Sequence, residues 1–272
     1  MTSAGAKRKI MLVTGASGGI GADLARLAAT RGHDLALVAR NRAALDALAD
    51  EIAAKSAAGP GQANARPLVH DCDLAKPGSV AGLKDFLAAA NAAPDIVINN
   101  AGYGVLGGAV DGDIDEQLGM IDLNIRALTE ISLAFAAPLI EAKGRLLNVA
   151  SVAAFMPGPG MAVYYASKAY VLSFSEALSA ELAPLGVSVT ALCPGPVPTG
   201  FQQRARFSGK MDWMKSAAMS SPEVALIGYE GMMARKRTVL PGVATKFTAW
   251  SSRFTPKSVS LALVSALQMR RT

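Results

Sequence analysis

The sequence predicts an α/β fold, a single doubly wound Rossmann-type domain built on a parallel sheet of about seven strands. Three observations carry that prediction. Short apolar runs alternate with longer segments whose apolar residues recur every three or four positions. The short runs are apolar nearly throughout, as strands become when helices cover both faces of a sheet. The first run also ends in a glycine-rich turn that leads straight into a helical segment.

Taken in order, strand runs fall at residues 10–14, 35–39, 66–70, 96–99, 145–150, 187–192 and 238–240. Helical periodicity falls between them, at 20–30, 42–55, 79–90, 115–140, 165–183 and 222–235. Alternation of this kind implies βαβ units. The Gly/Pro-rich stretch at 59–67 joins a helix to a strand, and the one at 156–160 reads as an active-site loop. Neither is a linker, so 1–272 reads as one domain.

Composition narrows the function. Hydrophobic residues make up 51% of the 272, too many for a disordered chain. Two cysteines, Cys72 and Cys193, cannot make a disulfide scaffold. No stretch of about 18 residues is apolar without interruption, which argues against a spanning helix. The residues before Ile10 are small, polar and basic, and the apolar run that follows has four members. A secretory core needs roughly 7–15, so the expectation is a cytoplasmic protein with reduced thiols. His70-Asp71-Cys72-Asp73 reads as the end of a strand, and no metal site is expected.

The net charge of +6 is unevenly placed. No Asp or Glu follows Glu230, while Arg235, Lys236, Arg237, Lys246, Arg253, Lys257, Arg270 and Arg271 do. Such asymmetry can mark an anionic partner.

The first strand ends in Thr14-Gly15-Ala16-Ser17-Gly18-Gly19-Ile20-Gly21. Glycines permit a tight turn and close backbone approach to a pyrophosphate, and a helix N-terminus offers N–H groups and a favourable dipole. The second strand closes with Ala39-Arg40 where an NAD-binding domain often places an acid. A carboxylate repels a 2′-phosphate and a guanidinium can bind it. The expected cofactor is therefore NADP(H) rather than NAD(H), held at Arg40, with Ser17 and Arg42 as helpers.

The spacing Gly15, Gly19, Gly21 resembles the turn of the short-chain dehydrogenase/reductase family. Further features follow in that family's order: Asn100-Ala101-Gly102 after the fourth strand, Asn124, Ser151 at the end of the fifth, and Tyr164 four residues before Lys168. The resemblance covers about residues 8 to 200 and implies an Asn-Ser-Tyr-Lys tetrad. Tyr164 would be the general acid/base, and Lys168 would bond the nicotinamide ribose. Ser151 would hold the substrate oxygen, and Asn124 would fix a water in the proton relay. Asn100, Ala101 and Gly102 would line the nicotinamide side, and Asp73-Leu74 would contact the adenine. Pro194, Gly195, Val197 and Thr199 would form a turn around the carboxamide, with Pro198 an unusual insertion.

The chemistry suits these residue types. Positions four apart share a helix face, and a phenol with a pKa near 10 is a poor acid/base at neutral pH. Lowering it by about 3 units needs roughly 4 kcal/mol, which Lys168 and the cation of an oxidised nicotinamide could supply in a partly dry site. Tyr165 lies three residues before Lys168 and reads as packing.

The resemblance makes 200–220 a substrate lid segment and 241–272 a C-terminal extension. Tyr103, Phe155, Met156, Met161, Phe201, Phe207, Met211, Trp213, Met214 and Met219 would line an apolar, Met-rich pocket for a bulky hydrophobic carbonyl or alcohol. Helices 115–140 and 165–183 would pair in homodimers or homotetramers. The basic tail, with Val259, Leu263, Ala266, Leu267 and Arg270 at helical spacing, reads first as a subunit-packing helix. Membrane-surface contact and an anionic substrate group are the alternatives. No nucleic-acid motif appears. The expected activity is carbonyl–alcohol interconversion by hydride transfer. The rivals are a non-catalytic NADP(H) sensor, which would have no need of the acid/base pair, and a peripheral membrane enzyme of lipid metabolism.

Overall fold

The structure is a computed structural model and describes residues 7–57, 65–198 and 218–268. Its centre is a seven-stranded parallel sheet in the order β3-β2-β1-β4-β5-β6-β7. The strands are β1 (Arg8–Thr14), β2 (Leu35–Ala39), β3 (Leu68–Asp71), β4 (Ala92–Asn99), β5 (Arg145–Val149), β6 (Ser188–Leu192) and β7 (Thr238–Val239). Ile10, Leu12, Leu37 and Val38 are completely buried, which is why β1 and β2 carry no polar–apolar alternation.

One face of the sheet is covered by α1 (Gly19–Thr30), α2 (Arg42–Ala57) and α8 (Ser221–Met233), through Leu24, Ala25, Leu45, Leu48 and Val224. The other is covered by α3 (Ser79–Ala89), α5 (Leu128–Ala134), α6 (Ala136–Ala142) and α7 (Ala162–Leu182), through Leu83, Ile131, Leu139 and Leu178. The α8 helix opens with a capping box in which Ser220 and Glu223 satisfy each other's backbone N–H groups.

The single helix expected at 115–140 is broken. α4 (Ile114–Ile121), capped by Asp113, passes into a π-helical turn, Asp122–Ala127, and then into α5. A bend of 47° separates it from α6. Apolar periodicity cannot register either break, because buried residues still recur at three and four. The helical spacing read in the basic tail falls on α10 (Lys257–Gln268), and a further helix, α9 (Val243–Ser251), precedes it, the two parted before Pro256. A proline there lacks the N–H that helix continuation needs.

Strand order reverses between β1 and β4, since β1 is followed outward by β2 and β3 on one side and by β4 to β7 on the other. Such a reversal opens a crevice at the carboxyl ends of the strands. No single helix among the described residues is long and apolar enough to cross a membrane.

Candidate active site

At the crevice, β1 ends in Thr14, whose buried hydroxyl does three things. It donates to Ile98 O (3.2 Å) and accepts from the N–H groups of Asn100 (3.0 Å) and Ala101 (3.1 Å). Asn100 replies with its amide, donating to Thr14 O (3.0 Å) and Gly15 O (3.1 Å). The two strand ends that flank the reversal are thus stitched together. Thr14 was not singled out from sequence. Its one signal was a hydroxyl closing an otherwise apolar buried strand.

The glycine turn divides its labour. Gly15 has φ +66, and a Cβ there would lie 2.7 Å from Asn100 Nδ2 and 2.9 Å from Ala101 Cα. A Cβ on Gly21 would lie 2.5 Å from Gly15 O. Those two positions need glycine for close packing. Gly18 differs: a Cβ on it would meet nothing within 4 Å, so the outer side of the turn is open. Gly18 caps α1 with no side-chain hydrogen bond, which leaves the first helical N–H groups of Gly19, Ile20 and Gly21 facing that opening, with Ser17 exposed beside them. An open, uncapped helix start behind a tightly packed turn fits a dinucleotide pyrophosphate.

At the end of β2, Ala39 is buried and Arg40 is exposed, and Arg40 forms no ion pair among the described residues. Arg42, expected as a helper, is already engaged. It binds Asp46 (2.6 Å) and Asp71 (3.0 Å), and these carboxylates raise its pKa while their own fall. After β3, Asp73 spends one carboxylate oxygen on Ala75 N–H (3.1 Å). Leu74 turns its side chain into the core.

Asn124 sits buried in the π-helical turn. Its Nδ2 donates to Tyr103 O (2.8 Å) and Ser167 Oγ (3.0 Å), and its Oδ1 accepts from Tyr103 N–H (3.1 Å). Ser167 in turn donates to Tyr164 O (2.7 Å). The amide ties the loop after β4 to α7. Ser167 was missed in the sequence because nothing in its spacing distinguishes it. Gly102 fits between two site residues: a Cβ on it would lie 2.9 Å from Asn124 Oδ1 and 3.5 Å from Lys168 Nζ.

Ser151 follows β5 and starts a short 3₁₀ turn, Val152–Phe155, by accepting from Ala153 N–H (3.1 Å). Its hydroxyl is also the hydrogen-bond partner of the Tyr164 phenol, across the sheet edge from α7. Lys168, one helical turn on, is buried with Nζ 5.9 Å from the centre of the Tyr164 ring. It donates to Val149 O (2.8 Å). Tyr165 packs flat on Gly158, where a Cβ would come within 2.3 Å of its ring, as its spacing predicted.

Burial governs the electrostatics of the chain by itself. Burial pushes the Tyr164 phenol up to about 12, and the Ser151 hydrogen bond offsets only part of this. Burial likewise lowers Lys168 to about 8. The chain by itself therefore does not acidify the phenol. Desolvation outweighs the Ser151 hydrogen bond, and the amine of Lys168 is turned toward a backbone carbonyl.

The turn after β6 brings Pro194 and Gly195 to the same edge, and Val152 N–H donates to Pro194 O (2.9 Å). Val197 is buried, and Thr199 lies outside the described residues. Cys193 is buried filler with its thiol pushed up to about 12. Of the expected pocket residues, Phe201, Phe207, Met211, Trp213 and Met214 also lie outside the described residues, as does nearly all of the 200–220 lid segment. Tyr103 donates its hydroxyl to Glu116 O (3.0 Å), Phe155 packs on the Val171–Leu172 cluster, and Met219 packs on the core. Among the described residues no group of His, Cys, Asp and Glu could hold a metal ion.

The short chain dehydrogenase family matches residues 9–208. The chain belongs to that family. It is an oxidoreductase that uses a nicotinamide cofactor. An uncharacterised oxidoreductase of Staphylococcus saprophyticus is 31% identical over 220 residues, 80% of this chain and 88% of that protein. A short-chain dehydrogenase from Sphingobium yanoikuyae, solved in complex with NADPH, is 33% identical with a TM-score of 0.76. The match covers 91% of this chain and 93% of that one. The bulky-bulky ketone specific alcohol dehydrogenase from Comamonas testosteroni is 28% identical with a TM-score of 0.73, each chain being 92% covered. Against a longer probable oxidoreductase of Mycobacterium tuberculosis, 27% identical, the chain spans 44% of the relative's length.

Proposed function

We propose that this short-chain dehydrogenase interconverts a bulky hydrophobic ketone and its alcohol with NADP(H). The observation that carries the reading is one convergence. The Ser151 and Tyr164 hydroxyls meet at the sheet edge, a buried Lys168 lies one helical turn on, and the open glycine turn stands at the neighbouring strand end.

Bound there, the cofactor supplies the hydride donor or acceptor at its nicotinamide. Gly15, Ser17, Gly18, Gly19, Ile20 and Gly21 would hold its pyrophosphate, and Asp73 with the Leu74 backbone its adenine. Asn100, Ala101 and Gly102 would flank the nicotinamide riboside, with Lys168, Tyr164, Pro194, Gly195, Val197 and Thr199. Arg40 would bind the 2′-phosphate. Its lack of an ion pair among the described residues, beside an Arg42 already paired, supports NADP(H), as does the NADPH of the Sphingobium relative.

Ser151 Oγ holds the substrate oxygen, and Tyr164 Oη gives that oxygen its proton in reduction and takes it back in oxidation. Asn124 positions Tyr103 and α7 through its amide. The ketone specificity of the Comamonas relative supports a large apolar substrate. Exposed Ile114, Leu118, Leu133 and Tyr170 on α4, α5 and α7 support a homodimer or homotetramer. Two free thiols, Cys72 and Cys193, support a reducing, cytoplasmic compartment, and we retain 1–272 as one domain.

The test is NADPH oxidation against a graded series of ketones. Turnover rising with the size of both ketone substituents is expected. Nucleotide binding without turnover of any ketone, aldehyde or acyl carbonyl would leave the sensor reading in its place.

A further inference from the structure

The two C-terminal helices carry a surface that the catalytic reading leaves without a task. α9 turns Thr245 and Ala249 inward, both buried. Thr245 Oγ1 lies against Gly195, and the helix packs over the Val152–Phe155 turn beside Ser151. The opposite face presents Val243, Phe247 and Trp250, and just past the helix end Phe254, at spacings of four, three and four. These side chains are 82%, 65%, 60% and 72% exposed. Their rings form a row, Phe247 to Trp250 at 6.3 Å and Trp250 to Phe254 at 5.3 Å between centroids. On α10, Val259 and Leu263 are exposed as well, while Val264 supplies the buried contact.

The row is edged with positive charge. Lys246, Arg253 and Lys257 are exposed, and none forms an ion pair among the described residues. Lys246 and Arg253, seven residues apart, share one flank of the aromatic row. No acidic residue follows Glu230 to neutralise them.

We propose that this face docks in the plane of an anionic lipid surface. Aromatic and aliphatic side chains on one helix face, edged by Lys and Arg, match the layered chemistry of a bilayer interface, apolar below and negative at the headgroups. A second copy meets that chemistry poorly. An isologous contact through this face would bring the same cations together with no carboxylate on the segment to offset them. Neither helix is long enough to span, so the contact is peripheral. This docking stands apart from the nicotinamide reading and could hold if that reading failed. If both hold, the inner face of α9 places the Ser151 edge of the sheet near the lipid, where a water-poor substrate would reside.

The experiment is flotation of the full chain with vesicles of phosphatidylcholine containing phosphatidylglycerol, and with phosphatidylcholine alone, at low and high salt. Three cations should make binding to the anionic vesicles roughly 100-fold tighter. High salt should remove most of that difference. Phe247→Ser/Trp250→Ser should lose binding to both vesicles. Lys246→Gln/Arg253→Gln/Lys257→Gln, confined to exposed side chains, should lose only the anionic preference and covers the case in which the aromatic variant fails to fold. Trp250 emission should shift to the blue on the anionic vesicles, read as the difference from Trp250→Phe. The proposal is overturned if the wild type ignores phosphatidylglycerol, if the charge variant binds as the wild type does, or if salt has no effect. It is also overturned if the wild type leaves vesicles alone while the aromatic variant lowers its mass by sedimentation, which would assign the face to a second copy.

Discussion

Lys168 sets stability against activity, and the cost can be worked out. Burial holds its ammonium at a pKa of about 8 against 10.5 for a free lysine. A depression of that size corresponds to about 3 kcal/mol at 1.36 kcal/mol per unit. Below pH 8 the folded and unfolded chains both carry the proton, and the folded chain bears the whole penalty. Between the two pKa values the unfolded chain still holds the proton while the folded chain has released it, so stability rises with pH. Lys168→Met removes the charge and fills the same space, but it leaves Val149 O without its donor (2.8 Å), a loss of about 1 kcal/mol. At pH 7 the variant should be more stable than the wild type by about 2 kcal/mol, or roughly 4–8 °C in Tm. The gap should shrink by about 1 kcal/mol between pH 8 and 9. The raised thiol of Cys72 titrates alike in both proteins and cancels from the difference; that of Cys193, which Lys168 lowers, only rises further when the lysine is removed, so it stays protonated through pH 9 in both. Urea unfolding of both nucleotide-free proteins at pH 7, 8 and 9 reads this directly. A variant no more stable at pH 7, or a gap that stays constant to pH 9, refutes the account of a penalised ammonium. The same variant should lose activity, because the cation nearest the phenol is gone.

Tyr164→Phe should lower kcat by about 10² to 10⁴ with the fold intact by circular dichroism, while Tyr165→Phe keeps turnover near wild type; the reverse ranking would move the acid/base to Tyr165. Arg40→Asp should weaken NADPH by roughly 10- to 100-fold and leave NADH unchanged or tighter, measured as Kd by nucleotide fluorescence. An unaltered ratio would show that Arg40 does not read the 2′-phosphate. Thr14→Val should cost about 2–4 kcal/mol, because two backbone N–H groups at the end of β4 lose their acceptor. Thr14→Ser should restore most of that in urea unfolding, and equal losses in the two variants would assign the effect to packing.

The order of strands and helices along the chain, the glycine turn, and the spacing of Ser151, Tyr164 and Lys168 could be read from the residues alone. Those features are local: burial on both faces writes continuous apolar runs, and a helix places residues four apart on one side. The hydrogen bond that joins Ser151 to Tyr164 spans two elements and was not legible in the sequence; the resemblance only named the two residues as parts of one tetrad. Tertiary structure alone decided the rest. It broke the helix expected at 115–140 with a π turn whose Asn124 amide is spent on Tyr103 and Ser167. It made Thr14 and Asn100 the clasp between β1 and β4, paired Arg42 with Asp46 and Asp71, and buried the phenol of Tyr164, which raises it in the chain alone. It also turned one face of α9 onto the Gly195 turn and left its aromatic face outside. Each of these depends on which groups end up within a few ångströms and how much water remains around them. Neither quantity is written in the spacing of residues along the chain.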